Sequence, residues 1–208
     1  MRGALSEIGE ALLDLVFPPR CAACGEAPAR ASPFCSTCDG AIEPAPDLGD
    51  GVGAASLFGG PIADAVHALK YGGRAEVAGP LGRWMAGRVA VPEGMAVVWV
   101  PLGRRRRIER TYDQAMLLAV AVARASRQPL LRGALRRVRE TPPQVGRDRA
   151  ARARNVAGAF AASRAVAGRD ICLVDDVVTT GATVEAATRA LRDAGARRVV
   201  VAALSRAE

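Results

Sequence analysis

Residues Ile171–Thr183 constrain the fold more than any other stretch. They read Ile-Cys-Leu-Val-Asp175-Asp176-Val-Val-Thr179-Thr180-Gly181-Ala182-Thr183, an apolar run that stops at two carboxylates and passes into a hydroxyl-rich turn with a glycine. Val184, Ala187, Leu191 and Ala194 follow at the spacing of one helical face, and Gly195 stands where that helix would stop. Arg198–Leu204 reads as another buried strand. The pattern predicts a strand–loop–helix–strand unit of an α/β sheet, and such sheets bind ligands at the carboxyl ends of their strands.

The residues of the turn suggest which ligand. Thr179, Thr180 and Thr183 offer hydroxyl donors, Gly181 lets backbone N–H groups approach a ligand closely, and the start of the next helix, at Ala182, adds N–H groups and a positive dipole end. Together these suit a phosphate. Asp175 and Asp176 would repel a phosphate but suit sugar hydroxyls or a bound Mg2+. A phosphate beside a diol describes a phosphorylated ribose. The plainer alternative is a structural turn in which the Asp and Thr residues only cap a helix.

Charge is divided along the chain. Residues 1–50 carry three Arg against eight acids, whereas residues 51–208 carry twenty-six Lys and Arg against thirteen acids. The basic character therefore belongs to the larger part alone, and it favours phosphate-bearing partners. Lys70 is the single lysine, which marks it as a position where a compact point charge has a use. No apolar run reaches membrane-span length and Glu7, Glu10 and Asp14 interrupt the N-terminal apolar positions, so the expectation is a cytoplasmic protein without membrane insertion.

Near the N-terminus, Leu5, Ile8, Leu12, Leu15 and Val16 predict a short amphipathic helix. Cys21-Ala-Ala-Cys24 and Cys35-Ser-Thr-Cys38 follow, two C-x-x-C pairs whose four thiolates would complete a tetrahedral structural zinc site. A redox pair normally occurs once, at a helix start, and disulfides fit a chain with an export signal, so zinc is the preferred reading. Cys172 lies in the apolar strand and reads as core. The Pro- and Gly-rich stretch Glu43–Gly53 reads as a linker, which divides the chain into residues 1–48 and 49–208. Gly51–Ser56 lacks the third glycine of a dinucleotide fingerprint, and no GxxxxGK[ST] loop occurs, which argues against P-loop nucleotide hydrolysis.

In the larger part, Ile62–Leu69 and Leu81–Val89 have helical spacing. Ala96–Val100 reads as a strand closed by Pro101-Leu102-Gly103. Arg104–Arg107 and Arg110 then read as a basic loop able to neutralise a pyrophosphate, with Arg104 and Arg110 at its edges the better ligands. Thr111–Gln114 matches a capping box before an apolar helix over Ala115–Ala123. Ala134–Arg139 reads as a strand, and Glu140–Asn155 as a basic flap. His67 has no Asp or Ser constellation to work with and reads as a packing or surface residue.

These residues together resemble the competence protein F (ComF) family of phosphoribosyltransferase-like proteins. The resemblance is carried by the C-x-x-C pairs after Phe17-Pro18, Leu69-Lys70-Tyr71 with Gly73, Val100-Pro101-Leu102, and Arg110 through Gln114-Ala115. It continues through Gln144, Arg154-Asn155, Ala159-Phe160 and the Asp-Asp-Thr-Thr-Gly turn, which is similar to that of type I phosphoribosyltransferases. It implies a parallel sheet flanked by helices, with a small N-terminal zinc-binding module. It also implies 5-phosphoribosyl-1-pyrophosphate (PRPP) as ligand, with Asp175 and Asp176 on the ribose hydroxyls and Thr179–Thr183 around the 5′-phosphate. Pro101–Arg104 would then face the pyrophosphate, with Mg2+ bridging. Lys70, Tyr71, Arg110, Gln114, Gln144, Arg154 and Asn155 join the candidate site. Where the family shows Arg-Gly-Phe-Asn-Gln, this chain has Arg110-Thr-Tyr-Asp-Gln114. The expected role is in DNA uptake during natural competence, with single-stranded DNA on the basic loops Arg104–Arg110 and Arg136–Arg154 and with competence-machinery proteins as partners. Two alternatives stay open: an active phosphoribosyltransferase of nucleotide metabolism with an unnamed acceptor, or a PRPP-sensing regulator without catalysis.

Overall fold

The computed structural model describes residues 20–26, 32–140 and 156–207. The amphipathic helix expected over Leu5–Val16 lies outside them, as do Gln144, Arg154, Asn155 and nearly all of the flap.

The centre of the molecule is a four-stranded, all-parallel sheet. Its strands are β1 (Val52–Ala54), β2 (Ala96–Trp99), β5 (Asp170–Val178) and β6 (Arg198–Arg206), in the order β1-β6-β5-β2. Strands β3 (Leu135–Arg137) and β4 (Phe160–Ala162) form a separate antiparallel pair. The helices are α1 (Ser36–Gly40), α2 (Gly60–Tyr71), α3 (Ala78–Ala86), α4 (Arg104–Arg110), α5 (Gln114–Ala125) and α6 (Ala182–Asp193).

The unbroken apolar runs of β5 and β6 follow from burial on both faces. Cys172, Val174, Ala202 and Leu204 belong to one core with α2, α3 and α5, while Ile171, Leu173, Val201 and Ala203 belong to a second core with α6. Helix α6 supplies Val184, Ala187 and Leu191 to that second core, the stripe its spacing predicts. Cys172 is fully buried and its thiol is pushed up to about 12 by burial alone, in keeping with a core role.

Three sequence expectations need correction. The basic run is a helix, α4, rather than a loop: an Arg105–Glu109 pair at 2.9 Å spans one turn, and Thr111 ends it at φ +63°. The cap of α5 is Asp113, not Thr111. The Asp113 carboxylate accepts from the Met116 amide at 3.2 Å, two residues later than the capping-box reading placed it. The expected linker, in turn, runs into an edge strand. A Cβ at Gly53 would lie 2.7 Å from Val89 Cγ1, so its glycine serves close packing inside β1 rather than a turn.

The cysteine-bearing segment packs directly on the first core. Cys21, Ala22 and Phe34 are buried within it, and the Phe34 ring meets Trp84 of α3 edge-on with centroids 5.4 Å apart. Arg74 Nη1 donates to the carbonyl oxygens of Cys21 at 3.2 Å and Ala22 at 3.5 Å, fastening this segment to the turn after α2.

Candidate functional site

Strand β5 carries its apolar side chains up to Val174 and then leaves Asp175 and Asp176 at the rim of the sheet. Neighbouring β2 is in register Trp99↔Val174, and Val100 donates its amide to Val174, so Pro101 begins its turn beside the acids. The fold thus brings the two expected loops to one end of adjacent parallel strands.

The acids occupy different environments. Asp175 is 9% exposed; burial, and then the charge of Asp176, raise its pKa well above the ordinary carboxylate range. Asp176 instead meets Lys70 Nζ at 2.8 Å, with side-chain exposures of 18% for Lys70 and 13% for Asp176. The lone lysine therefore reaches the acid pair from the last turn of α2. Beyond the acids, Gly181 has φ +79° and caps α6, a left-handed conformation that glycine adopts without strain. Glu185 donates its amide back to the Gly181 carbonyl, closing the first turn of the helix.

Around Pro101–Gly103, Asp113 is 6% exposed and uses both oxygens on backbone amides: Leu102 N donates to Oδ2 at 3.1 Å and Met116 N to Oδ1. Burial raises its pKa, and these hydrogen bonds act against the rise. Asp113 is thus a brace that ties the turn to α5. On the other side of the turn, the Glu140 carboxylate accepts from the Arg104 amide, and a Cβ at Gly103 would fall 2.6 Å from Glu140 Oε2.

The two edge arginines separate. Arg104 lines a cleft of about 710 Å3 beside the turn. Arg110 turns away from it: its guanidinium lies 4.8 Å over the Tyr71 ring, donates to Tyr71 Oη at 3.0 Å and donates to Gln114 Oε1 at 3.2 Å. Tyr71, Arg110 and Gln114, each singled out in the sequence, therefore form one cluster beside Lys70. His67 is exposed, with its ring 5.1 Å from that of Tyr71. Sequence reasoning missed the bracing role of Asp113 and the contact made by Glu140. The first was legible as an Asp just before an apolar helix; the second joins positions 36 apart and had no local signal.

Among the described residues, one cluster of three or more metal-ligating side chains occurs. The ligand atoms of Cys21, Cys24, Cys35 and Cys38 all lie within 4.8 Å of one another. A tetrahedron with Zn–S of about 2.3 Å has edges of about 3.8 Å, so the four thiols fit zinc with little movement. The Cys35 amide donates to Cys21 Sγ at 3.4 Å, the kind of contact that steadies a metal-bound thiolate. For Cys21, burial acts upward, but amides of Cys35, Cys24 and Ala23 outweigh it and lower the thiol to about 6. Cys38 is pushed up to about 12 by burial and by the neighbouring thiols. Four crowded thiols cannot all ionise unaided, and a divalent cation removes that conflict.

Comparison with known proteins gives the same two-part reading. Residues 12–48 match the double zinc ribbon domain and residues 116–207 the phosphoribosyl transferase domain. DNA utilization protein YhgH of Escherichia coli is 34% identical over 155 residues, covering 70% of this chain and 67% of that protein. The chain belongs to the competence protein F family. Competence protein F of Haemophilus influenzae itself is 36% identical over 125 residues, covering 58% of this chain and 53% of that protein. The ComF chain is also similar to a solved structure of the allosteric regulatory enzyme of purine biosynthesis, at 26% identity and TM-score 0.44, covering 64% of this chain and 26% of that one. The two domain matches and the observed sheet together make the fold a phosphoribosyltransferase-like parallel sheet with flanking helices and an N-terminal four-cysteine module that forms a potential zinc site. No helix among its described residues is long and apolar enough to cross a membrane.

Proposed function

We propose that this ComF-family chain binds PRPP at the end of β5 and acts in DNA uptake, with single-stranded DNA contacting its basic surface. The observation that carries the reading is the acid pair with its cation. Asp175 and Asp176 stand at the carboxyl end of a buried strand, Lys70 sits 2.8 Å from Asp176, and a Gly181-capped helix start follows within five residues. Thr179–Thr183 would hold the 5′-phosphate, and Asp175 and Asp176 the ribose hydroxyls. Pro101–Arg104 would lie along the pyrophosphate, where Lys70 can exchange its carboxylate partner for a phosphate oxygen.

Mg2+ fits this arrangement in one way only. The described residues place two carboxylates, not three ligands, at the rim, so oxygens of the bound ligand would complete the coordination. When bound, the ion would neutralise pyrophosphate charge. The chain's own residues orient the ribose, exclude water from the buried Asp175 side and hold the turn rigid through Asp113. That is positioning and charge stabilisation, which suits displacement at the anomeric carbon as well as binding without transfer.

The decisive test is thermal unfolding with and without Mg-PRPP. The expected result is a rise in Tm that Asp175→Asn with Asp176→Asn removes; an unchanged Tm in the unsubstituted protein refutes the ligand assignment. Release of pyrophosphate, followed with and without single-stranded DNA, separates transfer from binding alone.

A further inference from the structure

The Pro101–Arg104 turn has its amides taken by carboxylates from two directions. From inside, Asp113 accepts from the Leu102 amide at 3.1 Å and from the Met116 amide with its other oxygen. It is buried, and the fold holds it there. From outside, Glu140 accepts from the Arg104 amide through Oε1, and Glu140 is exposed. One carboxylate is built into the core; the other lies open to water and can exchange. Gly103 makes room for it. Its φ of −64° is open to any residue, so no backbone strain calls for glycine there. What a side chain would meet is Glu140: a Cβ would fall 2.6 Å from Oε2 and 3.2 Å from Oε1. Glu140 stands three residues beyond β3, whose pairing with β4 keeps its backbone near the turn. The Arg137 guanidinium feels the charges of both Glu140 and Asp175, so the carboxylate and the acid pair belong to one electrostatic neighbourhood.

We propose that Glu140 is an internal occupant of the pyrophosphate turn: its carboxylate holds the Arg104 amide in the ligand-free chain and has to leave before a pyrophosphate oxygen can accept from that amide. The inference rests on the reading that pyrophosphate lies along Pro101–Arg104, and it adds an autoinhibitory contact to that site. A carboxylate and a pyrophosphate oxygen are both anionic acceptors suited to a backbone N–H. Two such charges at hydrogen-bond range of one donor repel, so the amide serves one of them at a time. Glu140 is tethered, and it competes at a local concentration that dilution does not lower. The apparent affinity of the incoming anion therefore falls by the fraction of chains in which the amide is open. Asp113 exerts no such competition, because its carboxylate braces the turn from the buried side.

The full chain is titrated calorimetrically with inorganic pyrophosphate, unsubstituted and as Glu140→Ala, Glu140→Gln and Glu109→Gln. Glu140 and Glu109 are both exposed, so none of these changes disturbs the core. Glu140→Ala is expected to bind pyrophosphate about 5- to 30-fold more tightly than the unsubstituted chain. Glu140→Gln should gain less, since a neutral amide oxygen is a weaker acceptor. Glu109→Gln removes a charge from the same basic helix without touching the turn, and it should change the affinity by less than about twofold. Amide NMR of the labelled chain reads the contact itself. The Arg104 amide proton should move upfield in Glu140→Ala and return downfield as pyrophosphate saturates. An Arg104 amide unmoved by Glu140→Ala, an equal or weaker affinity in that variant, an equal gain in Glu109→Gln, or no pyrophosphate binding by either Glu140→Ala or the unsubstituted chain overturns the proposal. The two readings fail separately. If Mg-PRPP leaves Tm unchanged while pyrophosphate binding tightens in Glu140→Ala, the PRPP assignment falls and the internal occupant stands. If Mg-PRPP raises Tm but pyrophosphate binds both proteins alike, the reverse holds.

Discussion

Asp175 is a carboxyl that the fold holds almost out of water and next to another acid. A carboxyl whose folded pKa is raised adds stability below its unfolded value and loses that contribution as pH climbs through the folded value. Asp175→Asn should therefore stabilise the ligand-free protein at neutral pH, by about 1 kcal/mol or roughly 2–4 °C in Tm. The advantage should shrink towards zero on the acid side of the carboxylate range; Tm measured against pH for both proteins checks the sign. Asp50 works the opposite way. A hydrogen bond from Arg206 at 2.6 Å lowers its pKa, so its contribution is present above the ordinary carboxylate range and fades as pH falls. Lys70 presents a third case. Lys70→Met leaves Asp176 uncompensated beside Asp175, and a loss of about 1–3 kcal/mol is expected in chemical denaturation, discounted from the fully buried case for partial exposure.

Among the elements, helices α3 and α5 meet across Gly82. A Cβ there would lie 2.5 Å from Ala121 Cβ and 2.9 Å from the Leu118 carbonyl, and one of these is backbone that cannot step aside. Gly82→Ala should destabilise the protein by about 1–3 kcal/mol despite alanine's better helix propensity, measured by urea denaturation. In α6, a Cβ at the Gly181 cap would meet Glu185 Oε1 at an ordinary 3.5 Å, but its φ is left-handed, so Gly181→Ala should cost about 1 kcal/mol and blunt the Mg-PRPP response. The same contrast shows what was legible in the sequence. Strands β2, β5 and β6 and helix α6 announced themselves through long apolar runs and a clean helical stripe. Helix α4 did not, because a run of arginines carries no apolar period, and its one helical signature was the Arg105–Glu109 spacing. Strand β1 hid among glycines, since what makes Gly53 fit is Val89, 36 residues away. At the candidate site the acids, the turn and the thiols were readable because their chemistry is local. Arg110 was read as a partner of the pyrophosphate; in the structure its guanidinium lies over the Tyr71 ring and donates to Tyr71 and Gln114, and no local pattern signals the contact to Tyr71, the last residue of α2.

At the scale of the whole molecule, the four-cysteine segment is not an independent appendage in its packing. Cys21, Ala22 and Phe34 share a core with α2 and α3, so removal of zinc by a chelator should lower Tm of the entire chain and shift Trp84 emission as the Phe34 contact loosens. Arg74, which holds the carbonyls of Cys21 and Ala22, stands four residues after Lys70, which holds Asp176. One short stretch of backbone thus touches both the thiol cluster and the acid pair, and thermodynamic linkage would make the influence reciprocal. Whatever PRPP affinity the chain loses with its zinc, zinc should gain in retention when PRPP is present. Zinc transfer to a chelating dye is accordingly expected to slow in Mg-PRPP, and Arg74→Ala to make the rate indifferent to it.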